Sequence, residues 1–135
     1  MTSACSGLPD YLDTSAFVKL VRSEPESGAL RRELVDTELI SSTLLIVEGR
    51  RAAKRYGKLA LRRARAALTA ITLVPLDEAV LDIAAELDPP ELRSLDALHL
   101  ATVLSLGEDL GRLYCYDARL SAAALEFGVD VAQPD

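Results

Sequence analysis

Tyr11-Leu12-Asp13-Thr14-Ser15-Ala16-Phe17-Val18-Lys19-Leu20-Val21 passes from a short apolar strand into a helix across one acid. Thr14 or Ser15 is a ready N-cap for the apolar turn that follows. The same alternation continues down the chain. Pro25 opens a second helix that runs to about Val35. Residues 38–41 read as a strand, and Ser42 or Thr43 caps a helix reaching about Tyr56, where Gly57 ends it. Helical spacing covers 60–71 and 77–88, with a strand at 72–74 between them and Pro89-Pro90 after them. Ser94 caps a helix over 95–106. Leu113-Tyr114-Cys115-Tyr116 reads as a strand, 118–126 as a helix and 129–131 as a last strand. Strands alternating with helices predict an α/β domain with a mainly parallel sheet.

The chain has 135 residues, 50% of them apolar and 27% charged. That suits one compact domain over 1–135, with 1–9 as a short flexible lead, and argues against disorder. Two cysteines, Cys5 and Cys115, make no disulfide framework and suit free thiols in a reducing compartment. There is no basic-then-apolar leader and no apolar run of membrane-spanning length, so a cytoplasmic protein without membrane attachment is expected.

Formal charge is −6, which disfavours a bulk polyanion binder. The charges are not evenly spread, however. Arg50, Arg51, Lys54, Arg55, Lys58, Arg62, Arg63 and Arg65 fall in one stretch that holds no acid, whereas 77–96 carries seven acids against Arg93 alone. A basic block in an acidic chain marks a surface for RNA or for an acidic partner. Arg50, Arg51, Lys54, Arg55 and Arg62 are the candidate RNA contacts.

Four acids are candidates for chemistry. Asp13 and Asp117 each follow a strand, at the end where ligands bind in open α/β sheets; each also fits a simple turn or cap. Glu48 shares a helical stripe with Leu44, Leu45 and Ala52, and Asp96 shares one with Leu100 and Val103. Carboxylates on apolar stripes cost several kcal/mol if buried unpaired, roughly. A salt bridge to Arg51 or Arg55 would account for Glu48, and the helix dipole for Asp96, but convergence of all four accounts for both at once. Four such charges need a divalent cation, and an all-oxygen donor set selects Mg²⁺ or Mn²⁺. Such an ion activates water for in-line attack on a phosphodiester.

The segments Tyr-Leu-Asp13-Thr-Ser-Ala-Phe-Val-Lys-Leu, Ser42 through Glu48, Ser-Leu-Asp96-Ala-Leu-His-Leu-Ala-Thr and Tyr-Asp117-Ala-Arg-Leu-Ser-Ala-Ala-Ala-Leu resemble a PIN domain. Most closely they resemble the VapC-type toxins of toxin–antitoxin modules, over about Asp10 to Val131. The resemblance implies a three-layer α/β/α fold and a metal-dependent endoribonuclease acting as a type II toxin. It implies that Asp13 and Asp96 are principal metal ligands and that Glu48 and Asp117 complete the acidic set. It also implies that a hydroxyl after the first acid, Ser15 or Thr14, orients a ligand or a substrate phosphate. Further implications are products with 5′-phosphate and 3′-hydroxyl ends, a homodimer, and a VapB-type antitoxin forming a hetero-oligomer whose tail blocks the acidic pocket.

His99 is the only histidine, which excludes a His-based triad. It lies one turn after Asp96, within reach of the site, and also fits a satisfied structural role. Lys19 fits a phosphate contact or a pair with Glu24. Two other functions compete with the nuclease: a non-catalytic RNA- or protein-binding module on the same fold, and a phosphoaspartyl phosphotransferase using Asp13. The latter class wants a second Asp two residues on, where this chain has Ser15.

Overall fold

The structure is a computed structural model that describes residues 7–135. Its elements are β1 (Asp10–Leu12), α1 (Thr14–Val21), α2 (Ser27–Leu34), β2 (Leu39–Ser42), α3 (Leu44–Lys54), α4 (Lys58–Thr69) and β3 (Ile71–Val74). There follow α5 (Glu78–Glu86), α6 (Ser94–Leu106), a short 3-10 turn, β4 (Leu113–Tyr114), α7 (Ala118–Glu126) and β5 (Val131–Ala132). Every strand pairing is parallel, in the order β3-β2-β1-β4-β5.

The pleat decides which core each strand residue joins. Leu12 and Tyr114 pack with Phe17, Leu30, Leu45 and Ala53, under α1 to α4. Their neighbours Tyr11 and Leu113 pack with Leu100, Val103, Leu120 and Ala124, under α6 and α7. The sheet is thus buried on both faces, which is why its strands read as apolar runs rather than alternating ones. The result is the expected three-layer α/β/α domain. Among the described residues no helix is long and apolar enough to cross a membrane.

Chain order places the site. From β1 the chain builds outward to β2 and β3, then returns through α5 and α6 to lay β4 on the other side of β1. The β1/β4 boundary is therefore a topological switch point, where the connections leave in opposite directions and open a crevice beyond the strand ends.

Several local expectations are corrected. Asp13, not Thr14 or Ser15, caps α1, its side chain accepting from the Ala16 N–H. The α6 cap position falls on Arg93, without a side-chain bond, and Ser94 is already helical. The fourth strand stops at Tyr114; Cys115 lies just beyond it, a buried free thiol, with its N–H still bonded to the Ala132 carbonyl. The last strand starts at Val131, two residues late. Of the expected N-terminal lead, residues 1–6 and with them Cys5 lie outside the described part, while the Pro9 carbonyl is tied to the Gly111 N–H.

The contact that seats α3 against α1 is Gly49 on Phe17. A Cβ added at Gly49 would stand 2.7 Å from the Phe17 ring, which is fully buried. Gly49→Ala is therefore expected to destabilise the fold by about 1–3 kcal/mol through overpacking. Phe17→Leu in the same chain should recover part of that stability, read as chemical-denaturation midpoints of the two single variants and the double one.

Candidate active site

Asp13 is 3% exposed and fully engaged. Its Oδ1 accepts from the Ala16 N–H at 2.9 Å. The Ser15 hydroxyl lies 2.7 and 2.8 Å from its two oxygens, and the Cys115 thiol donates to Oδ2 at 3.1 Å. Ser15 Oγ in turn accepts from the Tyr116 N–H at 2.8 Å, linking the end of β1 to the loop after β4. Burial pushes the Asp13 carboxyl above its usual range, although these hydrogen bonds oppose the shift.

Glu48 reaches the same place from α3. Its Oε1 accepts from the Thr14 hydroxyl at 2.6 Å and from His99 Nε2 at 2.9 Å. Partial burial raises its pKa, but these bonds outweigh burial and hold the carboxyl below its usual range. The salt bridge to Arg51 or Arg55 that helical spacing suggests does not form; the partners come from β1's exit and from α6. Thr14 and Ser15 therefore divide the work, one holding Glu48 and the other Asp13.

Asp96 stands in the first turn of α6, with Arg93 Nε 3.9 Å from its carboxylate. Burial raises its pKa and repulsion from Asp117 adds to that, with a smaller push from Asp13. Asp117 caps α7 through a 3.0 Å bond from the Leu120 N–H. The simple reading of Asp13 and Asp117 as caps is correct, and so is the reading that they face a common site. Asp117 spends one oxygen on its helix and keeps the other, whereas both oxygens of Asp13 already have partners.

All four acids, with Arg93 and His99, line one cleft of about 370 Å³ at the switch point. Among the described residues no three acid, histidine or cysteine side chains form a ready-made metal cage. The donor set nevertheless suits Mg²⁺, which keeps several waters and takes one or two carboxylates rather than a full protein shell. Beside the cleft, sharing Thr14, Glu48 and Leu95 with it, runs a groove of about 610 Å³ lined by Arg51, Lys54 and Arg55. Arg50 and Arg62 are exposed but do not line it. A hollow of about 700 Å³ lies at the amino ends of the strands, where Arg112 pairs with Glu33 and Asp130, remote from the four acids.

His99 is the residue that local spacing underrates. Its position one turn from Asp96 is the available signal; its bond to Glu48, 51 positions away, leaves no trace in local spacing. Lys19 resolves as structural, pairing with both Glu24 and Glu26.

The profile of the PIN domain matches residues 11–126. This chain belongs to the PIN-domain family. Within the family its curated relatives include ribonuclease VapC46 of Mycobacterium tuberculosis, 49% identical over 125 residues that span 92% of this chain and 96% of the relative. Ribonuclease VapC47 of the same species is 39% identical, again over 92% and 96%. Two solved structures share the PIN fold at a TM-score of 0.70. Mycobacterium tuberculosis VapC20, described as a sarcin–ricin loop cleaving toxin, is 21% identical, with 84% of this chain and 93% of that one covered. A toxin–antitoxin complex from Klebsiella pneumoniae is 20% identical, with 93% and 98% covered.

The Asp13 geometry gives a stability test in metal-free buffer. The folded carboxyl binds its proton more tightly than the unfolded one, so ionising it opposes folding as pH rises past the unfolded value. Asn keeps the cap acceptor and carries no charge. Asp13→Asn is expected to melt at or above the wild-type temperature at neutral pH without divalent ions, whereas Asp13→Ala should lose about 1 kcal/mol with the cap. Thermal melts of the three proteins in chelator check this.

Proposed function

We propose that this PIN-domain chain is a metal-dependent endoribonuclease, the toxin of a type II toxin–antitoxin pair acting on RNA in the cytoplasm. The observation that carries the reading is the meeting of Asp13, Glu48, Asp96 and Asp117, from four separate elements, in one cleft at the switch point. The relatives named ribonuclease VapC support it. Asp13 and Asp96 would hold Mg²⁺, or Mn²⁺ in its place, with Glu48 and Asp117 completing the acidic shell. The bound ion supplies Lewis acidity, activating water and screening the phosphate charge.

The chain's own residues do the rest. Glu48, held ionised by Thr14 and His99, orients the attacking water and takes its proton. Attack in line at phosphorus forms the new P–O bond and breaks the P–O3′ bond; the departing 3′-oxygen takes a proton from solvent water, leaving 5′-phosphate and 3′-hydroxyl ends. Arg51, Lys54 and Arg55 hold the flanking phosphates in the adjoining groove, and Arg50 and Arg62, exposed but outside that groove, make further contacts with the RNA. An antitoxin of VapB type covers the acidic cleft with its tail, and the toxin pairs as a homodimer within that hetero-oligomer. The phosphoaspartyl alternative fits poorly: Asp13 is buried and bonded to its neighbours, and Ser15 is one of them. A non-catalytic module would have no need to confine four repelling acids.

Removing a ligand tests the site. Asp13→Asn and Asp96→Asn are expected to keep the fold and to lose RNA cleavage by on the order of 10²-fold or more, comparable to losing one preorganised electrostatic group. Chelator should abolish wild-type cleavage, and Mn²⁺ at about 100 times its Kd should stabilise the wild type by about 2.7 kcal/mol. Wild-type cleavage by both variants would overturn the assignment.

The groove gives a second test. Arg51→Ala, Lys54→Ala and Arg55→Ala together should weaken RNA binding at low salt and flatten log K against log salt by about 0.7 for each phosphate no longer neutralised. Mn²⁺ affinity should stay intact, and Arg62→Ala alone should do less. An unchanged salt slope in the triple variant, measured by fluorescence anisotropy, would move the RNA elsewhere.

A further inference from the structure

We propose that His99 is a positioning residue, the middle of a buried Tyr11–His99–Glu48 chain that anchors one Glu48 oxygen and turns the other to the cleft. The inference rests on the nuclease reading for its catalytic consequence, but its geometry stands alone.

His99 is 2% exposed and Tyr11 is fully buried. Tyr11 Oη lies 2.8 Å from His99 Nδ1, and the two rings meet edge to face with centroids 5.8 Å apart. The opposite nitrogen, Nε2, lies 2.9 Å from Glu48 Oε1 and 3.2 Å from Thr14 Oγ1. An ionised carboxylate only accepts, so the proton between His99 and Glu48 belongs to Nε2. In the neutral ring Nδ1 is then the acceptor, and Tyr11 is the donor that meets it. The tyrosine thus fixes the imidazole tautomer, and the tautomer fixes Glu48.

Both bonds to Glu48, from His99 and from Thr14, fall on Oε1. Oε2 is left for the cleft. The two donors come from the elements that carry two of the other acids: Thr14 follows Asp13, and His99 stands one turn after Asp96 on α6. The Glu48 carboxylate is thereby referenced to Asp13 and Asp96, although α3 is a separate helix. A residue that only filled the core would need neither a directed pair of nitrogens nor a polar partner at each end.

Because His99 is the only histidine, a long-range proton–nitrogen spectrum of the labelled protein reports one imidazole. In metal-free wild type the proton is expected on Nε2, and Tyr11→Phe should weaken that preference. A bare Nε2 in the wild type would overturn the proposal. His99→Leu should then weaken Mn²⁺ affinity, read by calorimetry, and lower kcat on RNA, each by about 10–100-fold, with KM for RNA little changed. His99→Gln, whose amide N–H can reach Glu48, should recover most of both. Wild-type Mn²⁺ affinity and kcat in His99→Leu, or no recovery in His99→Gln at matched thermal stability, would also overturn it. If wild type cleaves no RNA, the nuclease reading falls, while the imidazole spectrum and the Mn²⁺ affinities still decide the positioning role.

Discussion

A carboxylate kept almost out of water at the end of a central strand is the constraint on which this domain is built. Asp13 closes β1, caps α1 and faces the cleft, and it can do all three only because β1 lies between β2 and β4. Ser15, Cys115 and the Ala16 N–H surround it because a charge at that depth would otherwise be intolerable. Those partners do not remove the burial cost, since the Asp13 pKa remains raised. The fold holds an acid that is better satisfied with a cation nearby than without one. Stability is given up at that point to keep a carboxyl buried beside the cleft.

The other three acids are handled by different devices. Asp117 is steadied by a helix N-terminus, Glu48 by two side-chain donors, and Asp96 by a loose pairing with Arg93. Each device leaves the carboxylate partly free toward the cleft. Outside it the charge changes sign, with Arg51, Lys54 and Arg55 along the neighbouring groove and the acids of α5 on another helix. An acidic molecule can in this way offer a polyanion one cationic approach to an anionic centre.

Much of this is legible in the amino-acid order. The alternation of apolar runs and helical stripes reports burial, and a sheet covered on both faces leaves no other reading. The acids are visible because Glu48 and Asp96 break apolar stripes and because Asp13 and Asp117 follow strands. What escapes is set by contacts between distant residues. Hydroxyls and carboxylates cap helices about equally well, so nothing local says that Asp13 caps α1 while Thr14 and Ser15 turn to other tasks. Spacing can propose for Glu48 only the arginines of its own helix, whereas Thr14 and His99 stand 34 and 51 positions away. The strand through Cys115 reads too long because its apolar run continues past Tyr114, where the strand ends.

The switch-point topology also governs when the cleft can exist. Asp117 is the last of the four acids in chain order, and the strand leading to it fills the place beside β1. Until that strand is synthesised, β1 has a bare edge, Ser15 lacks the Tyr116 N–H, and Asp13 lacks the thiol that shares its burial. A growing chain on the ribosome therefore carries the first three acids without the pocket that joins them. The cleft is complete only when the last of its acids has been added and β4 lies beside β1.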